Sequence, residues 1–205
     1  MEQTTAGEYR VLPGREDGEL LLLDVESGDP TYVPADDEAD LPAVGNRITA
    51  ELAWVDGDPQ LAGFEVVADT SFHFVRTDEP IFEAATRCWE EAKESNAGMS
   101  SRVTHGTDGE PNGIVYTFAR QPGQRDLFAE FRDGVKPLEP LLVRAAGGRE
   151  AYPNGDAGPD PPFEVFVIAA EEPFVAVYIV LDPVGFLAET VRDTYVSAGG
   201  LTDRL

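Results

Sequence analysis

Residues 163–195 constrain the fold more than any other part of the chain. They contain two apolar runs, rich in β-branched and aromatic side chains, which are joined by Glu171, Glu172 and Pro173. Such runs are typical of strands covered on at least one face, so the segment predicts a β-hairpin. Asp182 can cap a following helix, and Pro183 fits its first turn. The apolar residues beyond them recur at helical spacing, which predicts a helix packed on the hairpin; they are Val184, Leu187, Val191 and Tyr195.

The first third of the chain has the pattern of an all-β domain. Asp56 and Gly57 give the clearest turn, because both residues tolerate positive φ and alternating runs flank them. In the run before this turn, Ile48, Ala50, Leu52 and Trp54 alternate with more polar residues, so we expect Trp54 to face the core. Antiparallel strands of this spacing predict a small barrel or sandwich. The predicted strands cover residues 9–12, 19–25, 31–33, 46–55, 61–68 and 71–76.

The apolar period changes from two to a helical spacing near Arg76, so we predict two domains, 1–76 and 77–205. The second domain is predicted to be α+β, with helices packed on one face of an antiparallel sheet. Its long Gly/Pro-rich segment, residues 147–162, is interpreted as a mobile loop or a functional lid. The other predicted elements are helices at 80–97, 125–133 and 137–146, and strands at 101–105 and 113–120.

The charge of the chain is strongly negative. It carries 39 acidic and 15 basic residues, a net charge of −24, and only Lys93 and Lys136 of the basic residues are lysines. Self-repulsion of this size is tolerated where salt screens it, so we interpret the charge as an adaptation of a halophilic protein to a salt-filled cytoplasm. The start of the chain lacks the pattern of a signal peptide, and no apolar run is long enough to cross a membrane. We therefore predict a cytoplasmic protein without a membrane partner.

The sequence lacks the usual signatures of catalysis. It has no phosphate-binding Gly-rich loop, no nucleophile elbow and no His-Glu-x-x-His motif. His73 and His105 are the only histidines, and Cys88 is the only cysteine, which we interpret as a buried thiol. These counts argue against a zinc site, so the sequence predicts no metal, no cofactor and no catalytic residue.

Positive charge is concentrated in residues 102–149. This region contains seven basic and six acidic residues, a balance of +1 in an otherwise acidic chain. One interpretation is that these arginines pair with carboxylates on the same short helices. The other is a face that binds an anion through forked Arg contacts. On the second interpretation the candidate ligand-binding residues are Arg102, His105, Arg120 and Arg125.

Two resemblances bear on the fold. The stretch TYVPA, followed by LPAVGNRITAELAWVDGDPQLAGFEVV, is similar to the second half of small OB-type barrels, including the TRAM type found on RNA-modifying enzymes. That resemblance implies an OB-like barrel and an RNA partner. Residues 1–76, however, carry 17 acidic residues and four arginines, a composition without an evident path for phosphates. As a whole, the chain resembles a family of strongly acidic proteins of salt-loving archaea, which implies no known activity.

The sequence therefore predicts a non-catalytic binding or assembly module. We expect it to contact a protein or RNA partner through residues 102–149, with no signature for DNA. The alternative is an enzyme that acts on an anionic small molecule, with Arg102, Arg120 and His105 lining the pocket and residues 147–162 as its lid. A third possibility is a structural role in a larger complex. The sequence leaves the oligomeric state open.

Overall fold

The protein has an α+β fold with two five-stranded, largely antiparallel sheets and a few helices. The computed structural model describes residues 3–35, 40–123, 125–147 and 162–197. The chain divides into two compact units. The first comprises Met1–Phe72 and Glu130–Pro161, and the second comprises His73–Ala129 and Pro162–Leu205. The α+β prediction is confirmed, whereas the division into domains 1–76 and 77–205 stays a prediction.

The first sheet lies in the first unit and has the strand order β3-β2-β1-β4-β5. Its central strand β1 pairs with β2 on one side and β4 on the other, so Tyr9 lies opposite both Asp24 and Ile48. At the β4–β5 turn, Asp56 and Gly57 both have positive φ, as the Asp-Gly signal predicts. The strands are β1 (Gln3–Pro13), β2 (Glu19–Asp24), β3 (Pro30–Pro34), β4 (Arg47–Val55) and β5 (Asp58–Ala68).

The core of the first sheet follows from the alternation of its strands. Every second side chain of β4 is buried from Ile48 to Leu52, as the period of two requires. The buried side chains that form this core are Tyr9, Val11, Leu22, Val33, Ile48, Ala50 and Leu52.

The second sheet has the strand order β6-β9-β10-β8-β7. Its central strands β9 and β10 are buried at every position, which explains their unbroken apolar runs. The predicted hairpin of residues 163–180 is therefore observed, with Val177 opposite Val167. The strands are β6 (Ser71–Arg76), β7 (Met99–His105), β8 (Pro111–Ala119), β9 (Glu164–Ala169) and β10 (Phe174–Val180).

The helices are short, and two of them cover the second sheet. Apolar side chains of α1 and α4 share one core with that sheet. In α1 the buried face consists of Ala85, Cys88 and Ala92, spaced three and four residues apart. No helix in the described part of the chain is both long and apolar enough to span a membrane. The helices are α1 (Glu83–Glu94), α2 (Leu127–Arg132), α3 (Glu139–Ala145) and α4 (Phe186–Val191), which continues into a π-helical turn (Arg192–Val196).

Two local predictions are wrong, and a third is met only in part. The strand at Ser71–Arg76 does not complete the first sheet, because it is an edge strand of the second. The last helix begins at Phe186 and not at Asp182, since the Asp182 side chain accepts a hydrogen bond from the Val184 N–H in a turn that precedes the helix. Trp54, two residues after the buried Leu52, is partly buried, so the expectation that it faces the core is met only in part.

The predicted barrel is not confirmed. Among the described residues, the first sheet has no hydrogen-bonded pairing between its two edge strands, β3 and β5, and so it is an open sheet. The two edges nevertheless come into contact. Strong twist and coiling of a five-stranded sheet bring its edges together in this way.

Candidate ligand-binding groove

An open groove of about 680 Å³ lies in the first unit, between the two edges of the first sheet. Its volume falls within the range typical of ligand sites. Three short segments supply its walls: the β1–β2 turn, strand β3 and the β4–β5 turn. The residues that line the groove are Arg15, Glu16, Asp17, Gly18, Glu19, Pro30, Thr31, Tyr32, Pro34, Trp54, Asp58, Pro59 and Gln60.

The β1–β2 turn places the Arg15 side chain against Glu19. Glu19 accepts hydrogen bonds from the backbone N–H of Arg15 at 2.9 Å, from its Nε at 3.2 Å and from its Nη2 at 2.8 Å. The positive φ of Gly18, +80°, allows the tight turn that brings the two side chains together. The β1–β2 turn therefore presents a guanidinium group at the wall of the groove.

The Arg15 guanidinium lies over the face of Tyr32 on β3, with its central carbon 3.8 Å from the ring centroid. The negative face of the aromatic ring attracts a cation at this distance. The Arg15 side chain keeps 64% of its surface exposed, whereas Glu19 keeps 22%. The carboxylate is thus the sheltered partner, and the arginine is the group that solvent and ligands reach.

The second aromatic residue of the groove is Trp54, near the end of β4. Its indole N–H donates a hydrogen bond to the Thr5 hydroxyl at 3.0 Å. Because the N–H already has a partner, the indole can offer its apolar ring to a ligand without leaving a buried donor unpaired. Asp58 and Gln60 follow on β5 and give the same wall a polar rim.

The groove is acidic. Its lining includes one arginine and four carboxylates. Hydrogen bonds from Arg15 hold the pKa of the Glu19 carboxyl below its ordinary value, and the same contact raises the pKa of Arg15. A lowered carboxyl pKa means that this pair is intact at neutral pH and is lost as the pH falls through the pKa of Glu19. Glu16, Asp17 and Asp58 add negative charge that Arg15 does not balance.

The residues predicted to bind an anion lie in the second unit, and two of them are on β7. Arg102 is opposite Val115 in the β7–β8 ladder and forms an ion pair with Glu91 of α1. His105 ends the strand, opposite Pro111. The guanidinium of Arg102 is therefore already engaged by a carboxylate.

The other two predicted residues lie further away along the chain. Arg120 follows β8 and donates a hydrogen bond to the Ala170 carbonyl at 3.2 Å. It lies nine positions along the chain from Pro111, the residue opposite His105, which corresponds to roughly 30 Å at the rise of a strand. Arg125 is exposed just before α2. The described geometry does not bring the four residues to one point, and their role in ligand binding stays a prediction.

The alternative interpretation, that the arginines of this region pair with carboxylates, has partial support. Arg132 pairs with Asp133 at 3.1 Å, and Asp126 pairs with Arg76. The lid proposed for residues 147–162 falls almost entirely at 148–161, outside the described residues. The enzyme alternative that depends on this lid likewise stays a prediction.

Among the described residues of the second unit, one carboxylate is buried, that of Glu164 at the start of β9. Its Oε1 lies 2.7 Å from Nε2 of His73, and its Oε2 accepts a hydrogen bond from Arg192 at 2.5 Å. The imidazole also stacks on Phe166, with ring centroids 4.9 Å apart. Cys88 is fully buried on the inner face of α1. Within the described ranges, no group of three or more His, Cys, Asp or Glu side chains is placed to hold a metal ion.

Sequence reasoning missed the groove because its residues come from three separate segments. Each contributes a common turn or edge residue, such as Gly18 or Pro59, that carries no signature of its own. Trp54 was the one residue whose sequence context could have indicated the groove. It is a large aromatic residue near the end of β4, and the alternating pattern of that strand places it on the core side. Only the curvature of the sheet brings Trp54 and Tyr32 to the same groove.

The fold and the groove define a class: an α+β protein in which an antiparallel five-stranded sheet curves around an open, acidic and aromatic cleft. The chain belongs to a family described as "Family of unknown function (DUF6663)", which it matches over residues 1–200. A search of curated proteins finds no match.

Proposed function

We propose that the protein is a non-catalytic binding module that holds an extended segment of a protein partner in the groove of its first sheet. The observation that carries this proposal is the position of the groove between the edge strands β3 and β5. Edge strands present backbone N–H and C=O groups, and an extended peptide adds to them by strand pairing. Tyr32 and Trp54 supply apolar surface for its side chains.

The pairing order of the first sheet supports a finer class, an OB-like barrel that is partly open. In that fold a five-stranded barrel binds ligands with its second and third strands and with its β1–β2 and β4–β5 loops. The groove uses the same two turns and β3. The OB-like class thus gives a second reason to place the ligand there.

Charge favours a protein partner over RNA. A nucleic acid binds largely through phosphates that Lys and Arg neutralise, whereas four carboxylates line this groove. In residues 102–149, Arg102 and Arg132 already pair with acids. We therefore place the partner site in the groove and not in the arginine-rich region that the sequence indicated.

A fluorescence titration tests the binding function. In a Trp89→Phe background, Trp54 is the only tryptophan and reports on the groove. We expect pools of capped, extended pentapeptides to change its emission saturably and oligouridylate to leave it unchanged. Tyr32→Leu, which keeps bulk but removes the aromatic face, should weaken peptide binding about five- to tenfold, given about 1 kcal/mol for an exposed aromatic contact.

A matched control for this titration is Arg87→Ala, which breaks an exposed i,i+4 pair with Glu83 in α1 and should leave the titration unchanged. Saturable binding of oligouridylate alone would favour an RNA partner and contradict the proposal. The absence of any saturable change with peptides would also contradict it.

We also propose that the protein is a cytoplasmic protein of a halophile, from its net charge of −24. The fold should then gain stability when salt screens its carboxylates. We expect the thermal midpoint at pH 7 to rise by roughly 5–10 °C between about 0.1 M and about 2 M KCl. Differential scanning calorimetry measures this change, and equal midpoints at the two salt concentrations would refute the halophilic interpretation.

A further inference from the structure

The Arg15 side chain occupies a site with the chemistry of a guanidinium receptor. A planar guanidinium binds best where a carboxylate meets it with two oxygens and an aromatic ring lies against its face. Glu19 supplies both oxygens: Oε2 accepts from Nε of Arg15 at 3.2 Å, and Oε1 accepts from Nη2 at 2.8 Å. Tyr32 supplies the ring, 3.8 Å away. All three residues line the groove.

We propose that this receptor takes an arginine of the partner, which replaces Arg15 on Tyr32 and Glu19. The inference rests on the proposed function and adds to it the chemistry of the anchoring residue. Arg15 belongs to an exposed turn and keeps most of its side-chain surface in solvent. An exposed pair of this kind contributes little stability, so it yields to a competing cation at small cost.

The rest of the groove favours a basic segment. Glu16, Asp17 and Asp58 line it and remain negative after Arg15 has paired with Glu19. A segment that brings one arginine to Tyr32 and releases Arg15 into solvent therefore meets an acidic wall. Charge complementarity of this kind selects a cationic partner and rejects an anionic one.

Removing Arg15 from the groove should strengthen the binding of an arginine peptide. Arg15→Ala leaves Glu19 and Tyr32 free to bind another guanidinium. We expect this variant to bind a capped Gly-Gly-Arg-Gly-Gly peptide about tenfold more tightly than the parent protein does. A tenfold change corresponds to the combined strength of one exposed ion pair and one cation–π contact. The measurement is the Trp54 titration in the Trp89→Phe background. A control peptide carries citrulline, an uncharged isostere of arginine, in place of the arginine. It should bind Arg15→Ala about tenfold more weakly than the arginine peptide, because it lacks the positive charge that Glu19 and the Tyr32 ring attract.

Further variants separate this inference from the proposed function. Tyr32→Leu in the Arg15→Ala protein should abolish the gain, whereas Arg87→Ala should produce none. If arginine and citrulline peptides bind equally well and Arg15→Ala changes neither affinity, the proposed binding of a partner arginine by Glu19 and Tyr32 is overturned. The proposed peptide-binding function then stands. If no peptide binds the parent protein or Arg15→Ala, both proposals are refuted. A lysine peptide that matches the arginine peptide would overturn the guanidinium selectivity, since an ammonium cannot make the forked contact.

Discussion

Replacing Arg10 by Met should lower the free energy of unfolding by about 3–5 kcal/mol, because it breaks a buried ion pair and leaves one partner uncompensated. Only 2% of the Arg10 side chain is exposed. It bonds both oxygens of Glu139, at 2.5 and 3.1 Å, and the Gly45 carbonyl at 2.8 Å, and it lies over the Phe72 ring. The substitution removes all of these interactions at once.

A double substitution distinguishes the cost of leaving Glu139 unpaired from the cost of losing the packing of the Arg10 side chain. Arg10→Met with Glu139→Leu replaces the buried pair by apolar side chains, and such replacements are often neutral or stabilising. We therefore expect the double variant to recover most of the stability that Arg10→Met loses, as measured by urea unfolding. Arg87→Ala, which breaks an exposed pair, should cost about 0–1 kcal/mol. A loss of similar size in Arg10→Met and Arg87→Ala would contradict the role assigned to the buried pair.

The pair of Arg10 and Glu139 also explains one limit of the sequence-based prediction. Its members are separated by 129 positions, and they join β1 to α3 within one compact unit. Periodicity reports on neighbours along the chain, so it correctly indicated the helix of residues 139–145. It gave no signal that this helix belongs with a sheet formed by the first 68 residues. A long-range contact of this kind is fixed by packing and charge in three dimensions.

Local signals were most reliable where a pattern repeats over a whole element. The strands β4, β5, β9 and β10 were predicted. Alternation and the Asp56-Gly57 turn indicate the first two, and runs of β-branched and aromatic residues indicate the last two. The sheet to which an edge strand belongs has no such signature, and β6 was therefore placed with the wrong sheet. The groove was missed for a related reason, since its aromatic residues become neighbours only after the sheet curves.

Gly45→Ala should lower the free energy of unfolding by about 2–5 kcal/mol, since it adds backbone strain of about 1–2 kcal/mol and overpacking of about 1–3 kcal/mol. Gly45 has φ +102°, a conformation that residues with a Cβ rarely adopt. A Cβ there would lie 2.3 Å from the backbone N of Phe72 and 2.7 Å from the carbonyl O of Thr70. Backbone atoms held by neighbouring hydrogen bonds cannot move aside as the end of a flexible side chain does, so the overlap must be relieved by shifting the chain.

The neighbouring contacts make that shift costly. The N–H of Gly45 bonds the Val11 carbonyl at 2.8 Å, and its own carbonyl accepts from Arg10. A displaced Gly45 therefore disturbs the buried ion pair as well as the loop that leads into β4. Gly28→Ala is the matched control, because Gly28 also has positive φ, +75°, but a Cβ there would meet no atom within 4 Å. Gly28→Ala should show only the cost of strain, about 1–2 kcal/mol. Urea unfolding measures the free energy of unfolding of both variants, and the difference between their losses is the cost of the steric overlap at Gly45. Equal losses in the two variants would show that the chain relieves this overlap without cost.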